Sequence, residues 1–304
     1  MHAGDLAVFA AVAQAGAITR AAAQLNTVQS NVTQRIRLLE AELGVPLFHR
    51  HSRGVTLTPA GSQLLPYAER IGRLMAEARQ AAADGPTPRG RIAIGALETA
   101  TALRLPPVLA AYAAACPEVD IEIGTGTSAA LVDAVLERRI EAAFVAGPVD
   151  HPDLVTAPLL EEELVMVTAP SVGTLEELAA TRSDRLKIIV FRAGCTYRTR
   201  LEGLLASRGV VGARRLEFGT LDGIIGCVAA GIGVTLLPRA VVAKAAGEQR
   251  VALHALPPAE ARVATVLVRR RDAFVSTALS RFIDIARERL AAREKRAPRL
   301  KRSA

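Results

Sequence analysis

Residues 18–42 read ITRAAAQLNTVQSNVTQRIRLLEAE, two short helices meeting at a tight corner. Ile18, Ala21, Ala22 and Leu25 fall at i, i+3, i+4 and i+7, so the first helix has one apolar face. Ala21 and Ala22 are small enough for a second helix to cross closely. Asn26-Thr27-Val28 forms the corner, with Asn and Thr supplying turn chemistry. In the second helix Val32, Ile36, Leu39 and Leu43 recur every three or four residues and are expected to face inward. The opposite side carries Ser30, Gln34 and Arg37, flanked by Asn31 and Thr33, with no carboxylate before Glu40. Amide, hydroxyl and guanidinium groups pair with base edges and phosphates. The pattern is that of a helix-turn-helix, and the competing reading is a helical hairpin with a solvated polar face.

The neighbouring sequence favours the first. Asp5–Gln14 reads as a helix with Leu6, Phe9, Ala10 and Ala13 on one side, able to cap the same core. After Gly44, suited to a C-terminal helix stop, two short apolar runs flank His51-Ser52-Arg53-Gly54 and predict a β-hairpin. Beside a helix-turn-helix the hairpin is a wing, with Arg50 and Arg53 reaching phosphates. Thr58-Pro59 then starts a helix, Thr as N-cap and Pro at the first position. Along it Leu64, Ala68, Ile71, Met75, Ala78 and Ala82 form a heptad seam. A lone helix of this length, about 40 Å, needs a partner for its seam. A twin in a dimer is the reading preferred, because a helix-turn-helix reads two half-sites when doubled.

Residues 84–90, DGPTPRG, form a linker, and beyond it strands and helices alternate. Strands are predicted at 91–97, 120–124 and 142–145 with helices at 104–115 and 128–138, a βαβαβ unit with a parallel sheet. Further strands are expected at 154–160 and 163–168. A second set follows: strand 187–191, helix 197–207, strand 214–218, helix 221–230 and strand 233–237. A last strand at 263–269 and a closing helix at 274–292 complete the chain. The fold class expected is an all-α winged helix-turn-helix with a long linker helix, joined to a two-lobed α/β domain with a cleft and a hinge. The domains read as 1–58, a dimerising helix 59–84, a hinge linker 85–90, and an α/β domain 91–295. Lobe I takes about 91–162 and 267–295, lobe II about 163–266, and a basic tail fills 296–304.

Ligands in open α/β sheets bind beyond the carboxyl ends of strands. Those positions hold Leu97, Glu98 and Thr99; Thr127 and Ser128; Ala146 and Gly147; Arg192, Gly194, Cys195 and Thr196; and Thr220. Hydroxyls at helix starts with Arg192, and with Arg198 nearby, suit a small anion such as a carboxylate, while Glu98 disfavours a highly charged one. Each Thr or Ser there also reads as a plain N-cap. A thiol switch between Cys195 and Cys227 is a minor alternative, since Arg192 and Arg198 lower a nearby thiol's pKa.

Composition bounds the rest. The chain has 304 residues and is 50% apolar, enough for two or three domains. Its longest uncharged run, 223–238, is broken by four glycines and is too short to span a bilayer. No signal peptide is visible and the three cysteines (116, 195, 227) do not make a disulfide framework, so a cytoplasmic protein is expected. The net charge of +8 is weak evidence for nucleic acid, because residues 287–302 alone contribute +6. There is no GxSxG, P-loop or HExxH motif, no dinucleotide fingerprint, and no metal-ligand spacing among the five histidines. Neither an enzyme nor a cofactor or metal is expected.

With these residues in view, the chain resembles the LysR-type transcriptional regulators over essentially its full length. The match rests on Phe9, Ala21-Ala22, Leu25, Gln29-Ser30, Ile36, Leu39-Glu40, Leu43-Gly44, Leu47-Phe48, Arg50, Arg53, Leu57-Thr58 and Ala60-Gly61. The resemblance implies a winged helix-turn-helix, a dimerising linker helix and a periplasmic-binding-protein-like effector domain. It implies homodimers pairing into tetramers on double-stranded promoter DNA, a small-molecule effector that changes the DNA bend, and RNA polymerase as a further partner. On this reading Arg35 and Arg37 meet phosphate or guanine, and Gln29, Ser30, Asn31, Thr33 and Gln34 read bases. Ala17, Val28, Thr33 and the order Gln34-Arg35 depart from frequent residues of the family, and Thr27 is then expected to cap the recognition helix in place of Val28. Residues 191–198 (FRAGCTYR) and 216–238 resemble a LysR subgroup related to regulators of glutamate synthesis, from which no ligand is carried over. The rival of another class is a solute-binding module whose N-terminal helices only dimerise.

Overall fold

A computed structural model describes residues 1–174 and 186–296. The expected basic tail beyond Arg296 lies outside them. The chain divides into two compact units, Met1–Ala83 and the remainder from Asp84.

In the first unit α1 (Ala3–Ala15), α2 (Ile18–Gln24) and α3 (Gln29–Leu43) precede a hairpin of β1 (Phe48–His51) and β2 (Gly54–Leu57), and α4 (Pro59–Ala83) closes it. The predicted apolar periodicity builds the core: Leu6, Phe9, Val12, Ala21, Ala22, Val32, Ile36 and Leu39 are buried together with Leu47 and Phe48. Phe9 and Phe48 stack at 5.3 Å between centroids. Two expectations fail at helix ends: Leu25, the C-cap residue of α2, and Leu43, the last residue of α3, are exposed. Thr58 caps α4 as expected, its Oγ1 accepting from Gly61 N at 3.0 Å and donating to the Pro46 carbonyl at 2.8 Å. The wing closes in antiparallel register, His51 opposite Gly54. Gly54 has φ +136 and lies against the Gly16 carbonyl, where a Cβ would collide. Val55 N donates to that same carbonyl at 3.0 Å, so the wing is seated on the turn between α1 and α2.

The heptad seam of α4 is divided. Ala68 is buried and Leu64 and Ile71 half-buried in the core that α1 shares, whereas Met75 and Ala78 are exposed, along with Tyr67 and Leu74.

The second unit holds two sheets that share one strand. In lobe I the order is β4 (Val119–Thr125), β3 (Gly90–Ala96), β5 (Ala142–Ala146), β11 (Arg262–Arg270) and β6 (Leu154–Thr168). The first three are parallel, as expected, and β11 runs antiparallel to both of its neighbours. The strands predicted at 154–160 and 163–168 are one, and that strand links the lobes. Its first part pairs with β11; Leu164–Thr168 pairs with β9 (Thr235–Pro238) and β10 (Ala252–Ala255) in lobe II. There β7 (Lys187–Phe191) runs parallel to β8 (Arg214–Phe218) and bridges Val234, next to β9. Lobe I resumes at Arg262, five residues before the expected boundary of 267.

The helices are α5 (Glu98–Leu103), α6 (Leu105–Ala115), α7 (Ser128–Leu136), α8 (Thr196–Ser207), α9 (Leu221–Ala229), α10 (Arg239–Gly247), α11 (Pro258–Ala261) and α12 (Thr277–Arg296). Periodicity missed α5, α10, α11 and β10, which are short or follow a proline. The start of α12 is tied to the linker: Asp84 Oδ2 accepts from Thr277 N and Oγ1 at 3.0 and 2.9 Å. Tyr112 of α6 donates to the Ala278 carbonyl and meets Phe282 edge-on, which fixes α12 on lobe I. No single helix among the described residues is long and apolar enough to cross a membrane.

Candidate functional site

Two sites emerge, one in each unit. On α3 the residues Gln29, Ser30, Asn31, Gln34 and Arg37 are exposed and Thr33 half-buried. Gln29, Ser30, Thr33, Gln34 and Arg37 line a shallow open hollow of about 430 Å³. The carboxylate nearest in sequence is turned away: Glu40 Oε1 accepts from Leu47 N at 2.8 Å and Phe48 N at 3.3 Å, anchoring the wing to α3. Arg50 and Arg53 of the wing are exposed, and Arg50 Nη2 lies 3.5 Å from Glu40 Oε2. Val28 occupies the N-cap of α3 without a side-chain capping bond, so the positive end of this helix dipole is open. Thr27, expected to cap it, instead accepts from Asn31 Nδ2 at 2.9 Å and stiffens the corner.

Arg35 departs from the expected set. It is half-buried and its Nε donates to Asp5 Oδ1 at 2.8 Å, its guanidinium packed over Gly4. It ties α1 to α3 and is absent from the polar hollow, because its position lies between the outward face and the buried Ile36 row.

In the second unit the carboxyl ends of the parallel strands converge on a cavity of about 420 Å³. The connection from β3 to α5 supplies Leu97, Glu98 and Thr99; the connection from β4 to α7 supplies Thr125, Gly126, Thr127 and Ala130. Lobe II supplies Phe191, Arg192, Ala193, Cys195, Tyr197, Phe218 and Gly219. The strand-end rule therefore located the cavity, and six expected residues line it: Leu97, Glu98, Thr99, Thr127, Arg192 and Cys195. It missed Phe191 and Phe218, the last residues of β7 and β8, and Tyr197, the second residue of α8, because the expected set favoured polar and small residues at those ends over aromatic ones. Tyr197 is buried with its phenol in hydrogen-bonding contact with Thr99, and burial pushes its pKa far up, so it stays neutral. Glu98 is half-buried and Arg192 exposed, and neither has an ion-pair partner among the described residues. Arg198 is committed elsewhere, to Glu217 at 2.7 Å and Glu202 at 3.2 Å.

The other expected contacts do different work. Gly194 accepts at its carbonyl from Ala129 N at 3.2 Å. Thr196 Oγ1 lies 2.9 Å from Ser128 Oγ and 3.3 Å from the Ala146 carbonyl, and Ser128 Oγ accepts from Ala146 N at 3.3 Å. Gly194, Thr196, Ser128 and Ala146 thus form a latch between the lobes behind the cavity rather than its lining. Gly194 has φ +87, and a Cβ there would sit 2.9 Å from Thr127 Oγ1, so the close approach requires glycine. Gly147 donates its N–H to the Ala264 carbonyl, and Thr220 caps α9 by accepting from Gly223 N at 3.3 Å.

Comparison with known proteins bears on both sites. Residues 4–62 match the model of the bacterial regulatory helix-turn-helix protein, lysR family, and residues 85–291 match the LysR substrate binding domain. The chain belongs to the LysR family of transcriptional regulators. It is 41% identical over 283 residues to the HTH-type transcriptional regulator GltR of Bacillus subtilis, covering 93% of this chain and 95% of that one. It is 46% identical over 284 residues to the uncharacterized HTH-type transcriptional regulator YusT of the same organism, with coverages of 93% and 95%. Among solved structures, full-length CbnR complexed with its target DNA aligns with a TM-score of 0.65 at 25% identity, covering 95% of this chain and 99% of that one.

As a LysR-type regulator the protein binds DNA through its helix-turn-helix and an effector between its α/β lobes. The solute-module rival falls with this membership. The thiol-switch alternative finds no support: all three cysteines are free, Cys195 packs in the main core of the second unit, and Cys227 packs against another cluster. Burial raises the Cys195 pKa despite the nearby Arg198, which leaves a thiol poor in thiolate.

Proposed function

We propose that α3 enters the major groove and that Gln29, Ser30, Asn31, Thr33 and Gln34 read base edges there. Arg37, Arg50 and Arg53 meet phosphates, and Thr27 and the uncapped N–H groups at the start of α3 meet another. The observation that carries this reading is the carboxylate-free hollow bounded by Gln29, Ser30, Thr33, Gln34 and Arg37 on an uncapped helix. The solved relative described as bound to its target DNA supports the same use of the fold.

Two copies pair through the exposed part of α4, where Leu74, Met75 and Ala78 present apolar surface that α1 does not cover. Homodimers assemble into homotetramers on promoter DNA in the cytoplasm, and RNA polymerase is the downstream partner. The effector is a small molecule with a carboxylate that Arg192 receives at the cavity mouth.

Gel shifts with a DNA sequence selected from a random library test the groove assignment. Gln34→Ala changes which sequence is preferred. Arg53→Ala weakens binding to all sequences and lowers the salt slope by about 1. Unchanged preference and unchanged salt slope in these two variants would remove the assignment.

A further inference from the structure

We infer that the cavity takes a zwitterion of the amino-acid class, with its ammonium group at Glu98 and its carboxylate at Arg192. This deepens, and rests on, the reading of the cavity as the effector site. The two side chains come from opposite lobes, Glu98 from the start of α5 and Arg192 from the end of β7, and line one cavity of about 420 Å³. They are the charged residues of its lining. Neither has an ion-pair partner among the described residues, whereas the charges around them are already neutralised. Arg104 is held by Glu162, and Arg198 by Glu202 and Glu217. A carboxylate on one wall of a cavity is matched by a cation, and a guanidinium on the other by an anion. A simple carboxylate ligand would leave Glu98 unmatched, and a simple amine would leave Arg192 unmatched. A ligand bearing both charges satisfies both lobes at once, which also gives it a way to hold them at a fixed separation. Phe191, Phe218 and Leu97 supply apolar wall, so the remainder of the ligand is an apolar side chain.

The test is calorimetric titration of the intact protein with the standard amino acids, followed by the des-amino acid and the decarboxylated amine matching whichever binds. At least one amino acid binds, and both matched analogues bind at least about tenfold more weakly. Glu98→Gln weakens the amino acid by a similar factor without weakening the des-amino acid, and Arg192→Gln weakens the amino acid without weakening the amine. Circular dichroism confirms that both variants are folded. An amino acid and its des-amino acid binding equally, or indifference of the amino acid to Glu98→Gln, overturns the zwitterion assignment and leaves the effector site in place. Silence of every amino acid overturns it as well. If a broad panel of metabolites is also silent, the effector reading of the cavity fails with it.

Discussion

The ion pair between Arg104 and Glu162 offers the sharpest energetic test. Nε and Nη2 of Arg104 donate to the two carboxylate oxygens of Glu162 at 2.8 and 2.6 Å, a bidentate fork. The side chains are 16% and 6% exposed, so neither charge has much water to fall back on. Glu162 lies on β6 just before that strand passes into lobe II, and Arg104 occupies the break between α5 and α6. The pair therefore fixes α5, which carries Glu98 and Thr99, to the strand that links the lobes. Breaking a buried pair by removing one partner costs about 3–5 kcal/mol, because the other charge is left uncompensated. Arg104→Met strands the drier partner, Glu162, and is expected to cost about 3 kcal/mol. Glu162→Met strands an arginine closer to solvent and is expected to cost about 2 kcal/mol, nearer a single charged hydrogen bond. The double replacement by Met removes both charges and is expected to return to within about 1 kcal/mol of the parent.

Urea unfolding followed by near-ultraviolet circular dichroism is the assay. The chain has no Trp and three Tyr, and Tyr112 and Tyr197 are both buried in this unit. Their signal reports on its packing, apart from that of the helix-turn-helix. A double variant as unstable as the worse single variant would mean that the two charges are not coupled, and the account of α5 as pinned by them would be wrong.

Other outcomes follow from the same geometry. Arg35→Ala lowers the stability of the first unit by about 1 kcal/mol, through loss of the half-buried pair with Asp5, and leaves base preference intact. Arg37→Ala leaves that stability intact and weakens binding to all DNA sequences, and thermal melts run beside gel shifts separate the two. Gly194→Ala forces φ +87 and the Thr127 contact to yield, at about 1–3 kcal/mol, and opens the latch between the lobes; faster hydrogen exchange at Ala129 and at Thr199, in the first turn of α8, checks it. Cys195 reacts with iodoacetamide only at a pH above that needed by an exposed cysteine, because burial holds its proton. Labelling of Cys195 at neutral pH as fast as that of the urea-unfolded chain would refute that placement.

What the sequence made legible and what it hid divide by the distance over which partners meet. The helix-turn-helix, the Thr58 cap and the strand ends around the cavity follow from spacings of a few residues, and they stand where periodicity put them. The strands expected at 154–160 and 163–168 left a break at Glu161-Glu162, within a run of three carboxylates that ends at Glu163. In the folded chain each meets an arginine far along the sequence: Glu161 meets Arg262, Glu162 meets Arg104 and Glu163 meets Arg239. The run is continuous strand because its charges are neutralised from elsewhere. Arg35 follows the same logic with Asp5, as do Ser128 and Thr196, whose hydroxyls look like ligand contacts until their partners across the cleft are known. A polar residue at a strand end or on a helix face is open to a ligand only when no distant partner in the chain has already taken it. By that criterion Glu98 and Arg192, which retain none among the described residues, are the charged groups of the cavity that the proposed effector would satisfy.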